Sequence, residues 1–312
     1  MSHYSTLPSV SVVVPSYNYA NYLGTAIRSV LLQNHSALEV LVVDDGSTDG
    51  TAALVSTFDD VRVRYLYQKN AGLSAARNKG IQESRFSFIA FLDADDSWEP
   101  EFLTTVLQEF ERLGPSYGAV GTAVKRIDCQ GNPLPPPRRI FLKTGELTTT
   151  SFCLRNRPLS SSTVLRRQVF DDCEGFDPTL RSSEDRDMWI RLTARGHRFY
   201  FLDQPLGSIR RHAQNMSKNA PRMKENAGVV LSRAWRHGVI KRANLPVWLR
   251  VVSVHYFVVS RTHFDDGWRA KAWLYLLISI VAWPVFIRPH RIAEPPFFRL
   301  RSMAFFLRHS IP

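Results

Sequence analysis

The chain has 312 residues, 44% of them hydrophobic, and carries 40 Lys and Arg against 28 Asp and Glu, a net charge of +12. That balance excludes a disordered or fibrous chain and fits one large or two modest domains with a sizeable core. Cys129, Cys153 and Cys173 are too few and too scattered for a disulfide framework and lack the paired spacing of a zinc site, which points to a reducing compartment.

The basic charge is concentrated at one end. Residues 1–228 hold 27 Lys and Arg against 25 Asp and Glu, whereas residues 229–312 hold 13 against 3. Such asymmetry implies an anionic partner for the tail, either nucleic acid or a lipid headgroup layer. Residues 1–8 have neither Lys or Arg nor an apolar run, so no signal peptide is expected.

In chain order, the apolar run 10–14 predicts a strand closed by Pro15-Ser16-Tyr17-Asn18, and helical spacing of Leu23, Ile27, Val30 and Leu31 predicts a helix over 21–33. A second buried strand, 39–43, ends in Asp44-Asp45-Gly46-Ser47, from which Ser47 or Thr48 caps a helix through residue 57. Residues 61–67 form a third strand, Asn70-Ala71-Gly72 turns into a helix through residue 81, and residues 86–92 form a fourth strand ending in Asp93-Ala94-Asp95-Asp96. Beyond these come a helix over 100–113, a strand over 119–127, a turn over 128–132 and a stiff proline loop over 133–137. A βα unit over 160–170 follows. Ser183-Glu184-Asp185 then leads into a helix over 186–194, with a strand over 199–202 and the basic segment 209–212 beyond it.

Strands alternating with helices at this spacing predict an α/β fold with a doubly wound, mainly parallel sheet, extended by a helical, basic C-terminal segment. The proposed division is a catalytic domain over 1–228 and a tail over 229–312. Ligands of such sheets sit outside the carboxyl ends of the strands, and here all four first strands end in polar residues. Three acids in four residues after a buried strand are costly unless a cation is held there. Their hard oxygens suit Mg²⁺ or Mn²⁺ together with a diphosphate, although helix capping is the alternative for any one of them.

The motifs carry a resemblance. Val-Ser-Val-Val-Val-Pro-Ser-Tyr-Asn at 10–18, Val-Val-Asp-Asp-Gly-Ser-Thr-Asp at 42–49, Asn-Ala-Gly-Leu-Ser-Ala-Ala-Arg-Asn at 70–78, Phe-Leu-Asp-Ala-Asp-Asp at 91–96 and Ser-Glu-Asp at 183–185 resemble the family 2 glycosyltransferases, in the family's order and over about residues 8–215. The resemblance implies a GT-A fold and transfer of a sugar, with inversion, from a nucleotide-diphosphate donor, a UDP-sugar, to the hydroxyl of a glycan or lipid-linked acceptor. It further implies Mg²⁺ or Mn²⁺ on Asp95 and Asp93, with Asp93 nearer the ribose or a metal-bound water and Asp96 assisting. By similarity Asp45, Pro15 and Tyr17 contact the base, and Asp185 is the catalytic base with Glu184 as the alternative. Arg210 and His212 match a late basic motif, His212 as a diphosphate or metal contact. For Arg77, a diphosphate contact and a structural pair with a strand-end acid both stay open. A related enzyme, a sugar-nucleotide pyrophosphorylase, uses a Gly-rich basic loop where this chain has Pro-Ser-Tyr-Asn. A catalytically silent nucleotide-sugar-binding scaffold is the non-enzymatic rival, against which the intact acids at 93, 95 and 185 argue.

In the tail, residues 251–260 and 272–287 are uncharged and rich in aromatic and branched side chains. The longer run spans about 24 Å as a helix, short of the ~30 Å hydrocarbon core, and Pro284 interrupts it. Trp268, Trp273 and Trp283 with Arg269, Lys271, Arg288 and Arg291 make an interfacial pattern, which predicts a peripheral position on the inner face of the plasma membrane. The alternative is a helix pair that packs on the catalytic domain or forms an oligomer contact. A nucleic-acid partner lacks any recognition motif.

Overall fold

The computed structural model describes residues 7–135, 143–154, 158–213, 215–216, 220–239, 245–265, 267–282 and 302–306. Residues 136 and 137 of the proline loop lie outside these, as do Trp283, Pro284, Arg288 and Arg291 of the tail.

The first half alternates β1 (Val10–Ser16), α1 (Ala20–Leu31), β2 (Leu38–Asp44), α2 (Thr51–Val55), β3 (Val63–Tyr67), α3 (Leu73–Glu83) and β4 (Phe88–Phe91). A two-residue β5 (Ser97–Trp98), α4 (Phe102–Leu113), the long β6 (Tyr117–Ile127), β7 (Pro133–Leu134), β8 (Gly145–Leu147) and α5 (Thr149–Leu154) follow. Then come a 3₁₀ turn (Ser160–Ser162), β9 (Thr163–Arg166), α6 (Arg167–Cys173), α7 (Glu184–Ala194), β10 (Arg198–Arg210), α8 (Ala220–Arg236), α9 (Leu245–Asp265) and α10 (Arg269–Ala282).

The strands form one sheet in the order β3-β2-β1-β4-β9-β6-β10-β5, with β7 beside β6 and β8 beside β10. Its first four strands are parallel, and β9 enters antiparallel between β4 and β6. The Val-rich β1 and β2 are buried along their whole length, as central parallel strands covered on both faces must be. The period of two sorts their side chains: Val10, Val12, Val14, Val40 and Val42 join one core with α1 and α4, and Val13, Leu41 and Val43 join the other with α3, α6 and α7. At the latter contact Gly80 lets α3 sit close, since a Cβ there would lie 2.2 Å from Val13 Cγ1.

Two departures from the sequence reading bear on the site. The strand expected over 199–202 runs on to Arg210, and its far end pairs with β5, Gly207 opposite Trp98 and Ser208 opposite Ser97. The helix expected to start at residue 186 starts at Glu184, so both acids of that pair lie in its buried first turn.

The tail is continuous with the rest. α8 runs through the 228/229 division, and its Val230, Leu231 and Ala234, with Val251 of α9, join the same core as Met188 of α7. α9 and α10 pack antiparallel, Ser253 Oγ donating to the Ser279 carbonyl at 2.6 Å and Ser279 Oγ to the Ser253 carbonyl at 2.7 Å. Among the described residues no helix is long and apolar enough to cross a membrane.

Candidate active site

The carboxyl ends of β1, β2 and β4 open with the start of α7 onto one cavity of about 680 Å³. Pro15, Tyr17, Asp45, Arg77, Asp93, Asp95, Asp96, Glu184 and Asp185 all line it. Of the residues expected in the site, only His212 stands behind the wall.

The two loops at the front are cross-tied before any ligand arrives. Asn18 adopts a left-handed φ of 58°, and its Oδ1 accepts from Thr48 N at 2.8 Å while its own N–H donates to Ser47 Oγ at 2.9 Å. Tyr17 is thereby left on the rim, 46% exposed, with its ring free to meet a ligand. Asp45 is buried and holds the start of α3: its carboxylate accepts from Gln68 Nε2 at 2.7 Å, Ala71 N at 2.9 Å and Gly72 N at 2.8 Å. Asp44 takes the role of capping its own turn, from Ser47 N at 2.8 Å.

Arg77 is fully buried and joins the two halves of the cavity. Its Nη1 donates to Glu184 Oε1 at 2.7 Å and its Nη2 to Asp93 Oδ1 at 2.8 Å, while its guanidinium lies 5.3 Å from the Phe176 ring centroid. Burial works against its charge, but Asp93 and Glu184 together more than offset this and hold it protonated. Of the two options left open for Arg77, the structural pair is therefore made, and it bridges residues 107 apart in sequence.

The acids after β4 rest on the 3₁₀ turn, Asp93 N donating to Ser161 Oγ at 3.1 Å and Trp98 Nε1 to the Ser161 carbonyl at 2.7 Å. Asp96 is buried and accepts from Arg210 N at 3.0 Å; burial first, then repulsion from Asp95 and Asp93, raises its pKa well above the usual carboxylate value. Asp95 is raised too, by burial and Asp93. Its Oδ2 lies 2.9 Å from His212 Nε2 and 3.0 Å from Asn215 Nδ2. His212 stacks on Tyr22 at 5.0 Å, and Arg210 is fastened to the carbonyls of Asp95, Asp128 and Cys129. The β5–β10 pairing brings this basic segment to the acids, where the His212 ring meets Asp95.

Asp185 lies in the first turn of α7 behind Ser183, a non-glycine residue held at φ 62°, an uncommon backbone state that concentrates at functional turns. Burial, and repulsion from Asp185, raise the Glu184 carboxyl although Arg77 pulls it down. Tyr19, Tyr22, Asn215 and the serines at 160–162 were absent from the sequence reading. Only Asn215 carried a signal, three residues after His212 and just beyond the basic segment.

The sequence profile described as Glycosyl transferase family 2 matches residues 11–173. The chain belongs to that family. This glycosyltransferase is 30% identical to an enzyme named for teichuronic acid biosynthesis, TuaG of Bacillus subtilis, over 68% of this chain and 82% of the relative. Solved structures share its fold. TarS of S. aureus in complex with UDP-GlcNAc aligns with a TM-score of 0.60 at 19% identity, over 88% of this chain and 89% of that one. The mannosyltransferase PcManGT of Pyrobaculum calidifontis, in complex with GDP-Man and Mn²⁺, aligns at 0.63 with 17% identity over 97% and 81%. The doubly wound sheet is thus of the GT-A type.

Among the described residues, no three His, Cys, Asp or Glu side chains converge closely enough to enclose a metal by themselves. The donor set nonetheless fits a hard cation. Asp93 and Asp95 share the cavity lining, and burial together with the charge of Asp93 raises Asp95, a cost that a cation would relieve. An ion held by Asp93 and Asp95 would need further ligands from water or a diphosphate, as Mg²⁺ characteristically does.

Proposed function

We propose that this glycosyltransferase moves a sugar from a nucleotide-diphosphate donor, a UDP-sugar, to an acceptor hydroxyl with inversion. The supporting observation is the convergence in one cavity of acids from three distant parts of the chain, Asp45, the Asp93–Asp96 cluster and Asp185, with Glu184 tied by Arg77 to Asp93. While Glu184 pairs with Arg77, Asp185, the second acid of the Ser183-Glu184-Asp185 motif and part of the cavity lining, is the proton acceptor in this reading. Its carboxylate takes the acceptor's hydroxyl proton as that oxygen bonds the anomeric carbon, and the bond from that carbon to the diphosphate oxygen breaks with its electron pair. Mg²⁺ or Mn²⁺ held by Asp95 and Asp93 would neutralise charge on the leaving diphosphate. Pro15, Tyr17 and Asp45 line the end of the cavity suited to the base, Asp45 with its carboxylate fixed by the 71–72 amides.

The acceptor in this reading is a glycan or lipid-linked precursor at a membrane surface. The outward face of α10 exposes Leu274, Leu277 and Val281, with Trp268 exposed before it and Lys271 Nζ 4.7 Å from the Trp268 ring. An apolar ridge with aromatic and basic neighbours suits the headgroup layer.

A thermal-shift screen of nucleotides and nucleotide sugars with and without Mn²⁺ tests the donor. UDP or a UDP-sugar should raise the melting temperature, and Mn²⁺ should enlarge the rise. No stabilisation by any nucleotide would contradict the reading. Leu274→Glu with Leu277→Glu should weaken sedimentation with anionic vesicles and leave melting unchanged.

A further inference from the structure

Five arginines line the cavity: Arg77, Arg181, Arg210, Arg211 and Arg222. Arg77 commits both terminal nitrogens to Glu184 and Asp93, and Arg210 is fastened to three carbonyls. Arg211 and Arg222 each have an interaction of their own. Arg181 differs. It is exposed, and none of the described residues supplies it with a hydrogen bond or an ion pair.

Its position is specific. Arg181 Nη1 hangs over Gly72, so near that a Cβ on Gly72 would meet it at 3.0 Å. Gly72 has φ 96°, and its N–H is held by Asp45, so the guanidinium faces a backbone turn that is already fixed. The same corner contains two hydroxyls with nothing to bond. Ser74 Oγ, two residues on in α3, and Ser16 Oγ, at the end of β1, are both buried, both line the cavity and both lack a hydrogen-bond partner. A buried hydroxyl without a partner is costly, and two in one corner point to a ligand that supplies the acceptors. Asp45 provides the acceptor at this corner; Arg181, Ser74 and Ser16 provide donors.

We propose that Arg181 is a donor clamp: from the loop before α7 it closes over the turn at residues 70–74 and donates to acceptor oxygens of the nucleoside diphosphate seated there. This rests on the nucleotide-sugar reading above and adds a binding residue outside the five motifs. Arg181 lies four positions before Asp185, in the loop that leads into α7.

Titration calorimetry with UDP and with uridine, on the wild type and on Arg181→Ala, tests it alongside steady-state kinetics. The exposed position leaves melting unchanged. The dissociation constant for UDP and the KM for the UDP-sugar should rise roughly tenfold, the scale of one hydrogen bond to a charged group, with kcat nearly unchanged. Arg181→Lys should recover part of the loss. Loss confined to UDP places the contact on phosphate oxygens, and an equal loss for uridine places it on the nucleoside; both uphold the clamp. An Arg181→Ala chain that binds UDP as tightly as the wild type overturns it, most directly if the acceptor KM rises instead. A wild type that binds no nucleotide overturns the underlying reading and the clamp with it.

Discussion

At the scale of single residues, the site is held by buried charges that balance one another. Arg77 neutralises Asp93 and Glu184 at once, so its removal leaves two acids facing each other. Arg77→Met should cost about 3–5 kcal/mol in chemical denaturation, the range for breaking a buried pair by one partner, and should abolish transfer. Glu39 shows the same logic far from the cavity. Burial alone would raise its carboxyl, but hydrogen bonds from Ser11 Oγ, Arg85 N and Arg64 hold it below its ordinary 4.5. A pKa lowered by folding means stability that is present at neutral pH and lost as pH falls through the lowered value. Glu39→Gln should therefore destabilise by about 1–3 kcal/mol at pH 7, with the gap narrowing in melts taken toward pH 3. The acids themselves were legible because strand ends and motif spacing mark them. A pair between Arg77 and a strand-end acid was legible too, and Asp93 makes it, but the second partner, Glu184, lies 107 residues away and only the folded sheet shows it.

At the scale of elements, the long periodic segments were readable and the short ones were not. β1, β2, α1 and α4 repeat their apolar positions often enough to declare themselves. β5 has two residues and no period, yet it brings Arg210 and His212 to Asp95 and Asp96. The segment Ser183-Glu184-Asp185 reads as a polar lead-in to α7, whereas both acids are buried in its first turn. Close packing of α3 on β1 is set by a missing side chain. Gly80→Ala should destabilise by about 1–3 kcal/mol through overpacking against Val13, and Val13→Ala in the same chain should recover part of the loss, as read by urea unfolding.

At the scale of the whole molecule, charge sets residues 229–312 apart, while α8 and α9 share a core with α7. Val251 is fully buried in the cluster that also contains Met188 and Trp189 of α7. Removing residues 245–312 should therefore lower the melting temperature of what remains, so membrane attachment is better read from surface changes on α10. The same integration holds the active site together, because α7 carries Asp185 on one face of that core. In the proposed mechanism the acids that bind the donor and the acid that accepts the proton are different residues. The most direct measurement compares sugar transfer and UDP binding by Asp185→Asn. Loss of a general base should slow transfer by about 10²–10⁴-fold, with the dissociation constant for UDP unchanged. Transfer at the wild-type rate, or loss of UDP binding together with activity, would contradict it.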